Sequence, residues 1–176
     1  MATTKSTSNK ATETKQPTTK TALKNSAPED ATSLLMADHK VVSELFEQFE
    51  KAKSQDRKAS IVSQICQELT VHTQLEEEIF YPAVKAALKD HEMVPEASVE
   101  HASVKDLIAQ VQDQVPDGEM YDAKVKVMSE FVKHHVEEEE TEMFPKARAT
   151  KLNLVELGEQ MAERKTELMA ELAELA

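Results

Sequence analysis

From residue 29 onward, large apolar side chains recur at intervals of three and four, the spacing that places them on one face of an α-helix. A first helix is predicted over about 29–53, with Leu35, His39, Val42, Phe46 and Phe49 on its inward face. Ser54-Gln55-Asp56 breaks the pattern. The second helix follows, with the face Ile61, Ile65, Leu69, His72, Glu76, Ile79, and runs through Pro82 toward Leu88. Pro82 should kink or interrupt it, because proline lacks the N–H and collides with the preceding turn. A third helix starts near Pro95 and shows Ser98, His101, Val104, Ile108 and Val111; Pro116-Asp117-Gly118 marks the next turn. The fourth shows Val125, Met128, Val132, His135, Glu139 and Met143 before Pro145, and a fifth runs from about Leu154 to Leu175. Four long helices with short connections predict an all-α, up-down-up-down four-helix bundle over 29–148, with an additional C-terminal amphipathic helix in 149–176.

Composition sharpens this reading. The chain has 176 residues and only two glycines, which leaves little material for β-turns. Residues 1–28 are Thr, Ser, Lys and Ala with Leu23 as the exception, and such a segment cannot bury enough surface to offset its ordering entropy, so a disordered tail is expected. The net charge is −12, and the tail alone carries five Lys against one Glu, so the remaining chain is more acidic still. An acidic domain repels phosphate backbones, which argues against nucleic acid as a partner. No stretch is long and apolar enough to span a bilayer, and no apolar leader precedes the helices. The single cysteine, Cys66, excludes an intramolecular disulfide; together these features predict a cytoplasmic protein.

The two halves of the helical region repeat one another. Asp38-His39 matches Glu100-His101, and the run from His72 to Phe80-Tyr81-Pro82 matches that from His135 to Met143-Phe144-Pro145. The offsets are 62 and 63 residues, and in the second pair a Glu stands four residues after each His. Residues four apart share a helix face, so His72 with Glu76, and His135 with Glu139, each present an imidazole and a carboxylate to one point. His39 and His101 lie on the inward faces of the other two helices. Two ionised carboxylates in a bundle core cost several kcal/mol each unless a cation compensates them. The predicted metal ligands are therefore His39, His72, Glu76, His101, His135 and Glu139, a set suited to two adjacent iron ions.

The other candidates have plainer readings. His134 lies ~100° around the helix from His135; pairing it with Glu138 would shift the register, but the proline alignment and the Met128–Val132 stripe favour His135 with Glu139. His91 falls in a connection and is expected to face solvent. Asp38, Glu77, Glu138 and Glu140 adjoin ligand positions and are candidates to orient imidazoles, although runs of Glu are more commonly solvated faces. The Met residues, Phe46, Phe49, Phe80, Phe131, Phe144 and Cys66 are expected in the core.

With these motifs in place, the chain resembles the hemerythrin family in its HHE cation-binding branch, over about residues 32–147. The resemblance implies a non-haem di-iron centre whose two glutamates bridge the irons, and a protein that binds, senses or scavenges dioxygen, nitric oxide or peroxide. One departure matters: oxygen-carrying members place two His four apart on the third helix, whereas the positions flanking His101 at that spacing are Ala97 and Lys105. The fourth-helix carboxylate is also Glu139 where oxygen carriers use Asp. Fewer imidazoles leave the centre more open to exogenous ligands and shift the expectation away from simple oxygen carriage. Beyond the ligands, no general acid or base stands out; turnover of peroxide or nitric oxide is the alternative, as is iron sensing with a protein partner met by the C-terminal helix or the tail.

Overall fold

The computed structural model describes residues 1, 30–89, 91–112, 114–116 and 118–175. The expected disorder of 2–28 lies outside the described residues. Seven α-helical segments, α1 (Ala31–Lys51), α2 (Gln55–Leu75), α3 (Tyr81–Leu88), α4 (Met93–Val111), α5 (Glu119–Glu138), α6 (Phe144–Arg148) and α7 (Leu154–Leu175), account for nearly all of them, and no strand occurs among the described residues. Asp30 caps α1 by accepting from the Ser33 N–H, and Ser54 caps α2 by accepting from the Arg57 N–H. Gly118, at φ 125°, turns the chain into α5 with a conformation that side chains resist.

Two π-helical turns join these segments into longer rods: Glu76–Phe80 between α2 and α3, and Glu139–Met143 between α5 and α6. Each proline sits two residues past its π-turn, at the second residue of α3 or α6. The expected interruption at Pro82 therefore takes the form of one widened turn, in which the Tyr81 N–H closes on the Glu76 carbonyl. Phe144 N–H does the same on Glu139. An extra residue in the turn lets the rod pass a proline without breaking.

The core falls into two apolar clusters, one containing Leu35, Leu75, Phe80, Ala97, Met143 and Phe144, the other containing Val42, Phe46, Ile65, Leu69, Val104 and Met128. Along α1 and α4 the chain goes from the first cluster to the second; along α2 and α5 it goes back. That is the up-down-up-down arrangement, and it aligns His39, His72, His101 and His135 in one polar layer between the clusters. Helix α7 packs on α1 and α2, burying Met161 and Leu168.

Several expected inward or core positions differ, Met36 and Met120 among them, both of which are exposed. Ser98 is exposed and Ala97 takes its place, because Val94, Ala97 and His101 form the continuous stripe. Ile79 is only half-buried, since the π-turn rotates Phe80 and Tyr81 inward instead. Phe131 is 45% exposed, on the outer face of α5 rather than in the core.

Candidate metal centre

The structure brings all six predicted ligands together, each no more than 6% exposed. Two overlapping groups of donor atoms result, His39, His72, Glu76 and Glu139 in one and Glu76, His101 and His135 in the other, with Glu76 common to both. His72 Nε2 and His101 Nε2 lie 3.2 and 3.3 Å from the same Glu76 oxygen. His39 Nε2 and His135 Nε2 lie 3.2 and 3.6 Å from one Glu139 oxygen. Each carboxylate thus reaches an imidazole from either half of the repeat. His134 is exposed and faces Glu138 at 3.4 Å, and His91 is exposed.

The far side of each ring meets a carboxylate. His39 Nδ1 lies 2.9 Å from Glu140, His101 Nδ1 3.0 Å from Glu77 and His135 Nδ1 2.7 Å from Glu100. His72 Nδ1 faces Asp38 at 3.8 Å, longer than a hydrogen bond. These partners place the ring proton on Nδ1 and turn the Nε2 lone pair toward the centre. Asp38 is in turn held by Lys165 of α7, and Glu77 by Lys105 at 2.7 Å. The sequence singled out Asp38, Glu77 and Glu140 among the candidates; Glu100 was legible only as the repeat counterpart of Asp38, and Glu138 does not take part.

Without a cation this arrangement is poorly satisfied. His39 Nε2, both oxygens of Glu76 and Oε2 of Glu139 are buried and lack hydrogen-bond partners. His101 Nε2 and His135 Nε2 lie 3.1 Å apart, and with both ring protons on Nδ1 neither has one to donate to the other. Burial pushes the Glu76 carboxyl well above its usual range, helped by the neighbouring charge of Glu139. Burial opposes ionisation of Glu139 too, yet its close contact with His39 and the nearby imidazoles bring it down to about 2. His39, against its own burial, is raised to about 9 by Glu139, and burial drops His72 to about 4. Protons thus stand in for missing positive charge. A bound cation replaces them, so the residues present fit a metal.

The comparisons with known proteins point to a cation-binding family. The chain matches the hemerythrin HHE cation-binding domain over residues 30–147. It belongs to the hemerythrin HHE family. A solved hemerythrin HHE cation-binding domain-containing protein from Mycobacterium kansasii is 25% identical, superposes with a TM-score of 0.69, and covers 81% of this chain and 88% of its own. A DNA nickase from Nostoc sp. is 26% identical over 115 residues, which is 65% of this chain but 32% of that protein. This HHE chain therefore spans about a third of that relative's length.

Two features near the centre were not read from the sequence. Tyr81 is buried, and its hydroxyl donates to Glu139 Oε1 at 3.0 Å while lying 3.2 Å from His101 Nε2 and 3.3 Å from His135 Nε2. On a regular α-helix, a residue five beyond Glu76 would lie ~140° away from it; the π-turn brings it back. Beside His135 and Glu139 there is also a narrow cavity of about 80 Å³, walled by Met93, Ala97 and Met143 and edged by Glu96, Glu100, Glu138 and Glu142. Ala97, at one of the positions where an oxygen carrier would place its additional imidazole, faces this space.

Proposed function

We propose that this HHE domain holds two non-haem iron ions on His39, His72, Glu76, His101, His135 and Glu139, and uses them to bind a small ligand: dioxygen, nitric oxide or peroxide. The observation that carries the reading is the set of buried, unpartnered donor atoms in two groups sharing Glu76. Imidazole and carboxylate donors suit iron, and a shared carboxylate suits two ions side by side. When bound, the irons supply the redox and ligand-binding chemistry. The chain orients the imidazoles through Glu77, Glu100, Glu140 and Asp38, keeps the layer dry between two apolar clusters, and offers approach through the cavity beside Ala97.

The Ala97 side favours an exogenous ligand over a sealed, purely structural centre. The test is iron quantitation with optical spectra, on protein reconstituted anaerobically and then exposed separately to oxygen, nitric oxide and peroxide. About two irons per chain with ligand-dependent spectra are expected. Failure to retain iron, or spectra indifferent to all three ligands, would overturn the reading. Continued consumption of peroxide or nitric oxide beyond one equivalent per centre would instead assign an enzyme.

A further inference from the structure

The seam between α4 and α5 carries a further group of donors, outside the buried layer. His134 and Glu138 stand four apart on the outer side of α5, and Glu100 reaches them from α4. His134 Nε2 lies 3.4 Å from Glu138 Oε1 and 3.7 Å from Glu100 Oε1. Both separations exceed a hydrogen bond, yet they match donors spaced around one ion at about 2.0–2.2 Å from each. Exposure alone asks only for polar side chains here. The repeat places Val71 and Leu75 at the matching positions of α2, buried in the apolar cluster that α7 completes, so the chelating pair stands where the seam is open.

This group is connected to the centre. Glu100 and Glu138 also edge the narrow cavity that His135 and Glu139 line from within. Glu139 is buried, and its Oε2 lacks a hydrogen-bond partner. Glu100 serves both places: one oxygen faces His134, and the other holds His135 Nδ1 at 2.7 Å. Lys146 engages Glu142 at 3.0 Å, but among the described residues no lysine or arginine pairs with Glu96, Glu100 or Glu138. The mouth of the cavity is therefore anionic, and a cleft lined by one sign of charge concentrates counter-ions. Its volume of about 80 Å³ leaves room for a partly hydrated ion.

We infer that His134, Glu100 and Glu138 form a surface site for a divalent transition-metal ion, which captures ferrous iron and feeds it through this cavity to the centre. One neutral imidazole and two carboxylates offset the charge of a divalent ion, and both donor types suit ferrous iron. The group is partly exposed and supplies fewer donors than the buried layer, so it binds the ion more weakly and lets it move inward. Glu139, with its unpartnered oxygen, is the next donor along the cavity. The inference rests on the two-iron reading above.

The test uses the full, metal-free chain as wild type, His134→Ala, Glu138→Gln and His91→Ala, the last removing another exposed histidine as a control. Anaerobic uptake of ferrous iron is timed by stopped flow against a ferrous-chelating dye, and final iron per chain and helicity by circular dichroism are read on each. His134→Ala and Glu138→Gln should slow uptake about 10-fold or more while reaching the wild-type iron count, and His91→Ala should follow wild type. Adding Mn²⁺ to the iron-loaded chain, with the free ion read by electron paramagnetic resonance, probes the surface site itself, because Mn²⁺ binds such donors more weakly than iron and does not displace it. The wild type should take up a further ion that His134→Ala loses. Uptake at the wild-type rate in both variants, or Mn²⁺ binding that His134→Ala leaves unchanged, overturns the assignment while the two-iron reading stands. A wild type that retains no iron overturns that reading, and this one with it.

Discussion

The two ends of the metal layer are built from the same repeat and end up different. At the His39/His72 end, α7 lies across α1 and α2, Lys165 holds Asp38, and Phe144 closes the side with a hydrocarbon ring. At the His101/His135 end, no extra helix among the described residues covers the α4–α5 seam; a cavity edged by four glutamates reaches His135 and Glu139, and the closing ring carries a hydroxyl. Duplication accounts for the six converging side chains, and the departures from it account for the asymmetry. One end is covered by α7 and Phe144. The other has a cavity beside it, and under the proposed function that is where a small molecule gains access.

Six substitutions or treatments break or sharpen that contrast. The largest effect is expected from Glu76→Ala, which removes the carboxylate common to both donor groups; iron retained after gel filtration should fall to near zero at both ends. Next come His39→Ala and His101→Ala, each of which should halve the iron content, but the His101 variant should also lose the ligand-dependent spectral change and the His39 variant should keep part of it. If both behave alike, the ends are not distinct. Removing iron altogether should lower the melting temperature: at ligand concentrations ~100-fold above Kd, binding contributes about 2.7 kcal/mol, or roughly 5–10 °C for a chain this size. Calorimetry of metal-free and loaded protein checks this.

Glu100→Gln keeps the size of the partner to His135 but removes its charge, and should weaken iron at the open end by about 10–100-fold, measured by competition with a chelator. The smallest effect is on the covered end. Lys165→Met leaves Asp38 without its cation and should cost about 1–2 kcal/mol, between the values for exposed and fully buried pairs, in urea unfolding of the metal-free protein. Stability unchanged by this substitution would show that α7 packs there through Met161 and Leu168 alone.

Much of the polar layer was legible because it obeys simple periods. His72 and Glu76, or His135 and Glu139, stand four apart on rods whose apolar stripes are unambiguous, and the repeat doubles the signal. The misreadings have local causes. Phe131 belongs to no stripe, and its aromatic character alone suggested burial. Ser98 and Ala97 are neighbours, and the α4 register had to choose between them. Tyr81 was hidden by a change of period: read at 3.6 residues per turn it points away from Glu76, and only a π-turn returns it.

The amino-acid order by itself determined the bundle, its antiparallel course and the six side chains that converge in its core, because hydrophobic periodicity is local and a duplicated motif repeats it. It also contained the Tyr81/Phe144 difference in plain sight, without giving it meaning. What the tertiary structure decided was everything that depends on helices meeting: which glutamate reaches which imidazole across the repeat, which end α7 covers, and where Ala97 leaves space. Those outcomes rest on distances between segments tens of residues apart, and on two widened turns that no 3.6-residue period describes.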